Sequence, residues 1–226
     1  MSQFRIANHK YTYYGFVIER LLHESLKERY LLLDAGCGKG GSIWVVPINM
    51  EIVGVDILRY NLLATKHLRK NLSCVVCDLT WLPFKEDAFG GAMSVDVLEH
   101  VDNKTAVISE LARVTMKSGF FIGSSTNLLN PILWLDAKLP LLMKPLVMKF
   151  APGHYDRHSR FSPSSLNCAL NSAGYRVDYL ALLGGTLFNK KKLPWVAYLW
   201  ILFDKFTRKK PLIYLKEIIV WKAVRN

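Results

Sequence analysis

Cysteine is scarce. Four residues, at 37, 74, 77 and 168, are too few and too scattered to staple a chain of 226 residues as a disulfide framework. No uninterrupted apolar run reaches the ~18 residues needed to cross a bilayer, although 51% of the residues are hydrophobic. The opening stretch, MSQFRIANHKYTYYG, lacks the apolar core of a signal peptide. A chain kept in a reducing cytosol is therefore expected. Internal repeats and low-complexity tracts are absent too, and the apolar content suits one substantial core, so a single domain over 1–226 is expected. Acid is scarce in the second half only. Residues 114–226 carry five Asp/Glu against seventeen Lys/Arg, while residues 1–113 carry thirteen of each, so the net charge of +12 arises after residue 113. A basic half implies a face that meets lipid headgroups, nucleic acid or an acidic substrate.

What is present is an alternation of strands and helices. Residues 10–30 space Phe16, Val17, Leu21, Leu22 and Leu26 as a helix. YLLLDA, EIVGVD (51–56), SCVVCD (73–78), FGGAMSVD (89–96) and FFIGSST (120–126) are five apolar strands. Helices are expected over 59–70 and 105–116, the second stopped by Lys117, Ser118 and Gly119. SPSSLNCALNSAG (162–174) is a helix with a Ser/Pro start and a Gly stop. YRVDYLALL is a sixth strand, 194–206 a helix, and EIIVWKAVR (217–225) a last strand; the two final strands with their helical crossover are consistent with an antiparallel edge. Non-alternating strands separated by helices argue for a mostly parallel sheet covered on both faces. The lone Cys74-x-x-Cys77 lies in what reads as a buried strand, where a structural role outweighs a metal or redox one.

The loop LLLDAGCGKGGSIW, residues 31–44, carries the chemistry. Gly36, Gly38 and Gly41 spell a G-x-G-x-x-G turn with Asp56 about twenty residues on, the pattern of a dinucleotide site. That reading leaves Asp78 and the D-V-L-E-H segment at 96–100 unexplained, and leaves little chain for a hydride-accepting domain. Asp34, Asp56, Asp78 and Asp96 each end or closely follow one of the first four strands, the edge where open α/β sheets bind ligands.

Taken in order, LLLDAGCGKGG, IVGVDI, CDLTWLPFKEDAFGGAMSVDVLEHV and ELARVTMKSGFFIGSSTN resemble a class I S-adenosylmethionine-dependent methyltransferase. The likeness covers roughly residues 30–127 and is nearest to the ubiquinone and menaquinone biosynthesis group; HYDRHSRFSPSSLNCALNSAGYRV extends it. The resemblance implies a Rossmann-like fold of seven strands with an antiparallel last strand and S-adenosyl-L-methionine as cofactor. Gly36, Cys37, Gly38 and Gly40 would approach its methionine part, with Asp34 beneath the loop. Asp56 would accept both ribose hydroxyls, with Ile57 on adenine. Asp78 and Leu79 would hold the adenine edge, and Asp96, Val97 and Leu98 the methionyl portion. Lys39 stands where the family often has threonine, and Pro47 implies a short helix after the loop.

Within that frame residues 1–30 form a helical lid, 30–127 the cofactor half, 128–161 a cap and 162–226 the last helices and strands. A hydroxyl or carbon acceptor needs a proton removed. His154 and Tyr155, beside His158, are the base candidates, with His100 after strand four a third; His100 and Glu99 also read as helix-orienting residues. Tyr11, Tyr13 and Tyr14 are expected to pack on the sheet rather than close over the site. No metal ligand set stands out. The apolar cap, LLNPILWLDAKLPLLMKPLVMKF, fits a small lipophilic acceptor or plain core, and no RNA-binding module is visible, which leaves an RNA methyltransferase or an inactive binding protein as alternatives. Residues 193–203, flanked by Lys190–Lys192 and Arg208–Lys210, are too short to span a bilayer; they fit an anionic membrane surface or a helix covering the sheet.

Overall fold

The structure is a computed structural model that describes residues 13–26, 30–130, 160–183 and 212–226. In chain order its elements are α1 (Tyr13–Ser25), β1 (Leu31–Ala35), β2 (Glu51–Asp56), α2 (Arg59–Thr65), β3 (Leu72–Val76), β4 (Phe89–Val95), α3 (Lys104–Val114), β5 (Thr115–Thr126), α4 (Pro163–Ser172), β6 (Tyr175–Leu183) and β7 (Ile218–Arg225). Short 3-10 turns occupy Ile43–Val45, Leu98–His100 and Leu212–Leu215. The first is all that remains of a helix after the glycine loop, as Pro47 implied.

Seven strands form one sheet in the order β3-β2-β1-β4-β5-β7-β6. β1 to β5 pair in parallel, and β7 runs antiparallel to both β5 and β6. This is the Rossmann-like class I methyltransferase fold. The last strand in sequence, β7, is the antiparallel one, as expected, and β6 pairs along its outer side. The central strands are continuously apolar for a reason: every residue of β4 is buried. On one face Val107, Leu111, Leu166 and Leu170 of α3 and α4 close over Phe121 and Trp221. On the other, Ile18, Leu21 and Leu22 of α1 and Ile43 and Val45 of the short turn cover Leu32, Ile52 and Ile122.

Several boundaries and faces differ from the sequence expectation. In α1 the buried stripe runs through Ile18, Leu21 and Leu22, and Phe16 is 55% exposed. α2 stops at Thr65 instead of Lys70, since the following residues tie down to the preceding turn: Arg69 donates to the Pro47 carbonyl at 3.0 Å and Asn71 to that of Ile48 at 2.9 Å. β3 is an edge strand with Val76 51% exposed, so Cys74 and Cys77 are only half buried. α3 ends at Val114, because Thr115 already pairs with Phe89; the turn at 117–119 becomes an irregularity inside β5. The start of α4 is as expected, a capping box in which Ser162 Oγ accepts from the Ser165 amide at 3.1 Å and Ser165 Oγ from the Ser162 amide at 2.9 Å. The helix expected over 194–206, the basic-flanked apolar run, and most of the cap lie outside the described residues.

Candidate active site

The strand order reverses between β1 and β4, and a cleft of about 560 Å³ opens there beyond the strands' carboxyl ends. That is the place and size at which open α/β sheets take small ligands. Its wall includes Gly36, Asp56, Ile57, Asp78, Leu79, Asp96, Val97 and His100. These are eight of the residues expected at the site, drawn from four separate strand ends. Asp34, Cys37, Gly38 and Gly40 do not line it.

The glycine loop is built from behind. Gly36 and Cys37 amides both donate to the Val55 carbonyl at 2.9 Å, and Thr65 Oγ1 of α2 donates to the Gly38 carbonyl at 2.8 Å. Cys37 turns its thiol into the core: it lies against Gly54, leaving no room for a Cβ there, and burial pushes its pKa far up. Gly40 likewise faces protein; a Cβ on it would meet Leu68 Cδ1 at 2.3 Å.

Asp34 sits fully buried beneath the loop. Ser42 Oγ donates to its Oδ2 at 2.8 Å, and its Oδ1 has no partner. Burial lifts its pKa to about 7, against the opposing Ser42 hydrogen bond. Asp56 is the hub of the loop. Its Oδ2 accepts from the Gly38 amide at 2.9 Å, and its Oδ1 from the Leu58 amide at 2.8 Å and Asn61 Nδ2 at 3.2 Å. Asp78 takes the Thr80 amide and hydroxyl, each at 2.8 Å, on Oδ1; these bonds hold its carboxyl below the usual range.

Asp96 stands in a left-handed backbone conformation, φ 55°, that a non-glycine residue seldom adopts. Its amide donates to the Ser124 carbonyl at 3.1 Å, Ser124 Oγ donates to its Oδ1 at 2.6 Å, and Tyr14 Oη donates to its Oδ2 at 2.6 Å. Tyr14 thus reaches the site from α1, against the expectation that it only packs on the sheet. Beneath Asp96, Glu99 is buried, with Oε1 accepting from the Thr126 amide at 3.3 Å and Oε2 without a partner. Burial, helped by the Asp96 charge, raises its pKa to about 8. His100, by contrast, is exposed on the cleft wall. His154 and Tyr155 lie outside the described residues. Asn61, Ser124 and Tyr14 were missed. Asn61, one turn into the helix that follows Asp56, was the one with a local signal.

The two buried acids fix a pH dependence. In the window from about 4, where both titrate when unfolded, up to about 7 for Asp34 and 8 for Glu99, the folded chain holds the extra protons. Their contribution to stability is therefore full below about pH 4 and is lost as pH rises through 7 and 8, at about 1.4 kcal/mol per pH unit per group. The thermal midpoint of the ligand-free protein should fall between pH 5 and 8.5. Asp34→Asn with Glu99→Gln should flatten that slope; an unchanged slope would reassign it to other groups.

Residues 33–123 match the family described as a methyltransferase domain. The match covers 91 of the 226 residues. Its curated relatives include the sterol 24-C-methyltransferase of Pneumocystis carinii, 27% identical over 117 residues that make up 48% of this chain and 31% of that one. The chain spans between 28% and 53% of the length of the first four such relatives. Among solved structures, a chain of the complex formed by the Haloferax volcanii Trm112 methyltransferase activator superposes with a TM-score of 0.68 at 14% identity, covering 93% of this chain and 87% of that one. Geranyl diphosphate C-methyltransferase of Streptomyces coelicolor, solved with Mg2+, geranyl diphosphate and S-adenosyl-L-homocysteine, gives 0.62 at 15% identity, over 93% and 77%. At these identities the structural likeness is one of fold. The residues of the matched segment fit an S-adenosyl cofactor on their own chemistry: a cleft of adequate volume, carboxylates at or just past the ends of β2, β3 and β4, and apolar Ile57, Leu79 and Val97 in the same lining.

Proposed function

We propose that the protein transfers a methyl group from S-adenosylmethionine to an oxygen or carbon of a small lipophilic acceptor. The cleft at the strand-order reversal, with Asp56, Asp78 and Asp96 on one wall, carries this reading. The cofactor brings an already activated methyl group, so the chain's task is to hold, align and exclude water. Asp56 and Asp78 take the nucleoside end, Asp96 the amino-acid end, and Ile57 and Leu79 flank the base. The whole chain acts as one domain in this reading, and His100 is the proton acceptor among the described residues, with His154 and Tyr155 as further candidates.

Support for a lipophilic acceptor is threefold. Residues 128–153 are apolar in sequence, and Leu128 and Leu129, which open that stretch, are 44% and 43% exposed. A sequence relative is named a sterol 24-C-methyltransferase, and a structure of similar fold is a geranyl diphosphate C-methyltransferase. The resemblance to quinone-biosynthesis methyltransferases points the same way, and a basic second half suits an acceptor drawn from an anionic membrane surface, where the cytosolic chain would dock. The experiment is incubation with methyl-labelled cofactor and a cell extract separated into lipid, RNA and protein fractions. Label should enter the lipid fraction. Label in RNA would replace the acceptor class while keeping the reaction, and S-adenosylhomocysteine binding without any transfer would leave a binding protein.

A further inference from the structure

We infer that Tyr14 is a positioning residue for the cofactor cleft, and that docking of α1 on the sheet and filling of the cleft are coupled through it. The inference rests on the cofactor reading above. Tyr14 and Asp96 are 82 residues apart, yet the phenol donates to the carboxylate at 2.6 Å. Ser124, at the far end of β5, donates to the other oxygen at the same distance. Hydrogen bonds to an ionised acceptor are the strong ones, and these two hold opposite oxygens of one carboxylate.

What they hold is strained. Asp96 has φ 55°, a backbone state that persists in a non-glycine residue only where its surroundings fix it. The next residue, Val97, packs so tightly on Gly36 that a Cβ there would lie 2.5 Å from Val97 Cγ1. Gly36, Asp96 and Val97 all line the cleft. A continuous path of contacts therefore runs from Tyr14 through Asp96 and Val97 to the first glycine of the loop. α1 itself is held on the sheet by Ile18, Leu21 and Leu22, so releasing the phenol leaves the helix's apolar anchor in place while freeing the Asp96 turn to relax. Coupling is reciprocal. A ligand that fixes Asp96 and Val97 must stabilise the docked helix, and a docked helix must tighten the ligand.

The test titrates S-adenosylhomocysteine into the full chain by calorimetry and follows amide hydrogen exchange of residues 16–25. Wild type should bind, and binding should slow exchange in α1. Tyr14→Phe, which keeps the ring, should weaken binding roughly tenfold, within the usual range for coupled sites, and should abolish the ligand's effect on α1 exchange. In an Asp96→Ala background, where no side-chain acceptor is left for the phenol, the same substitution should add less than about twofold. Ser124→Ala should move affinity in the same direction, and it serves if Tyr14→Phe fails to fold. Wild-type affinity in Tyr14→Phe, or a loss of affinity with α1 exchange still responding, would overturn the coupling. Failure of wild type to bind at all would instead remove the cofactor reading and the inference with it.

Discussion

An Asp56→Ala variant should lose S-adenosylhomocysteine affinity by at least about 100-fold, because hydrogen bonds to a charged acceptor are worth about 1.5–3 kcal/mol each. Two losses combine. In the proposed complex the ribose hydroxyls lose their acceptor, and three protein donors, the Gly38 and Leu58 amides and the Asn61 side chain, lose theirs. The loop is then free to leave the geometry in which it faces the ligand. A carboxylate offers about four acceptor positions, and three are taken by the chain, so the weakest partner, Asn61 at 3.2 Å, is the one to swing aside when two hydroxyls arrive. Asn61→Ala should accordingly leave affinity within about fivefold of wild type, a single side-chain bond of ordinary strength being at stake. Calorimetry on both variants separates these effects. Near wild-type binding by Asp56→Ala would move the nucleoside to another part of the cleft and remove the carboxylate's assigned role.

The acids at the strand ends were legible because each closes an apolar run, and an apolar run in this kind of sheet has a fixed direction: its carboxyl end is the ligand edge. Asp56, Asp78 and Asp96 follow that rule to the cleft wall. Asp34 follows it in sequence but not in depth. Position within a strand says which residue comes at the edge; whether its side chain is roofed over depends on what packs above, here the loop and Ser42. The Cys37 thiol is hidden for the same reason, since the absence of a side chain at Gly54, seventeen residues on, creates the niche that takes it. The end of α3 shows a different limit. Thr115 looks like a continuing helix from its neighbours alone, and its pairing with Phe89 across the sheet decides otherwise. Tyr14 is the extreme case. A tyrosine in an amphipathic helix carries no local mark of a partner 82 residues away. The strand and helix pattern is a local property and was readable; the contacts that make the cleft are non-local and were not.

Gly36 joins both kinds of information, and substitution there should damage both stability and ligand binding. It has φ 78°, where a Cβ costs roughly 1–2 kcal/mol, and the added methyl would also lie 2.5 and 2.6 Å from the two γ-carbons of Val97. Val97 cannot yield freely, because the preceding residue is clamped by Ser124 and Tyr14. Gly38 is the internal control. Its φ is also positive, at 52°, but a Cβ on it would meet nothing within 4 Å. Gly38→Ala should therefore show the backbone cost alone, roughly 1–2 kcal/mol of stability. Gly36→Ala should add the clash, typically another 1–3 kcal/mol for overpacking, and should reduce S-adenosylhomocysteine affinity about 100-fold or more, equivalent to about 2.7 kcal/mol. Denaturant unfolding and calorimetry on the two variants side by side give both numbers. If Gly36→Ala and Gly38→Ala prove equal in stability and in affinity, the contact between Gly36 and Val97 does not hold the loop, and the glycine serves only its backbone angle.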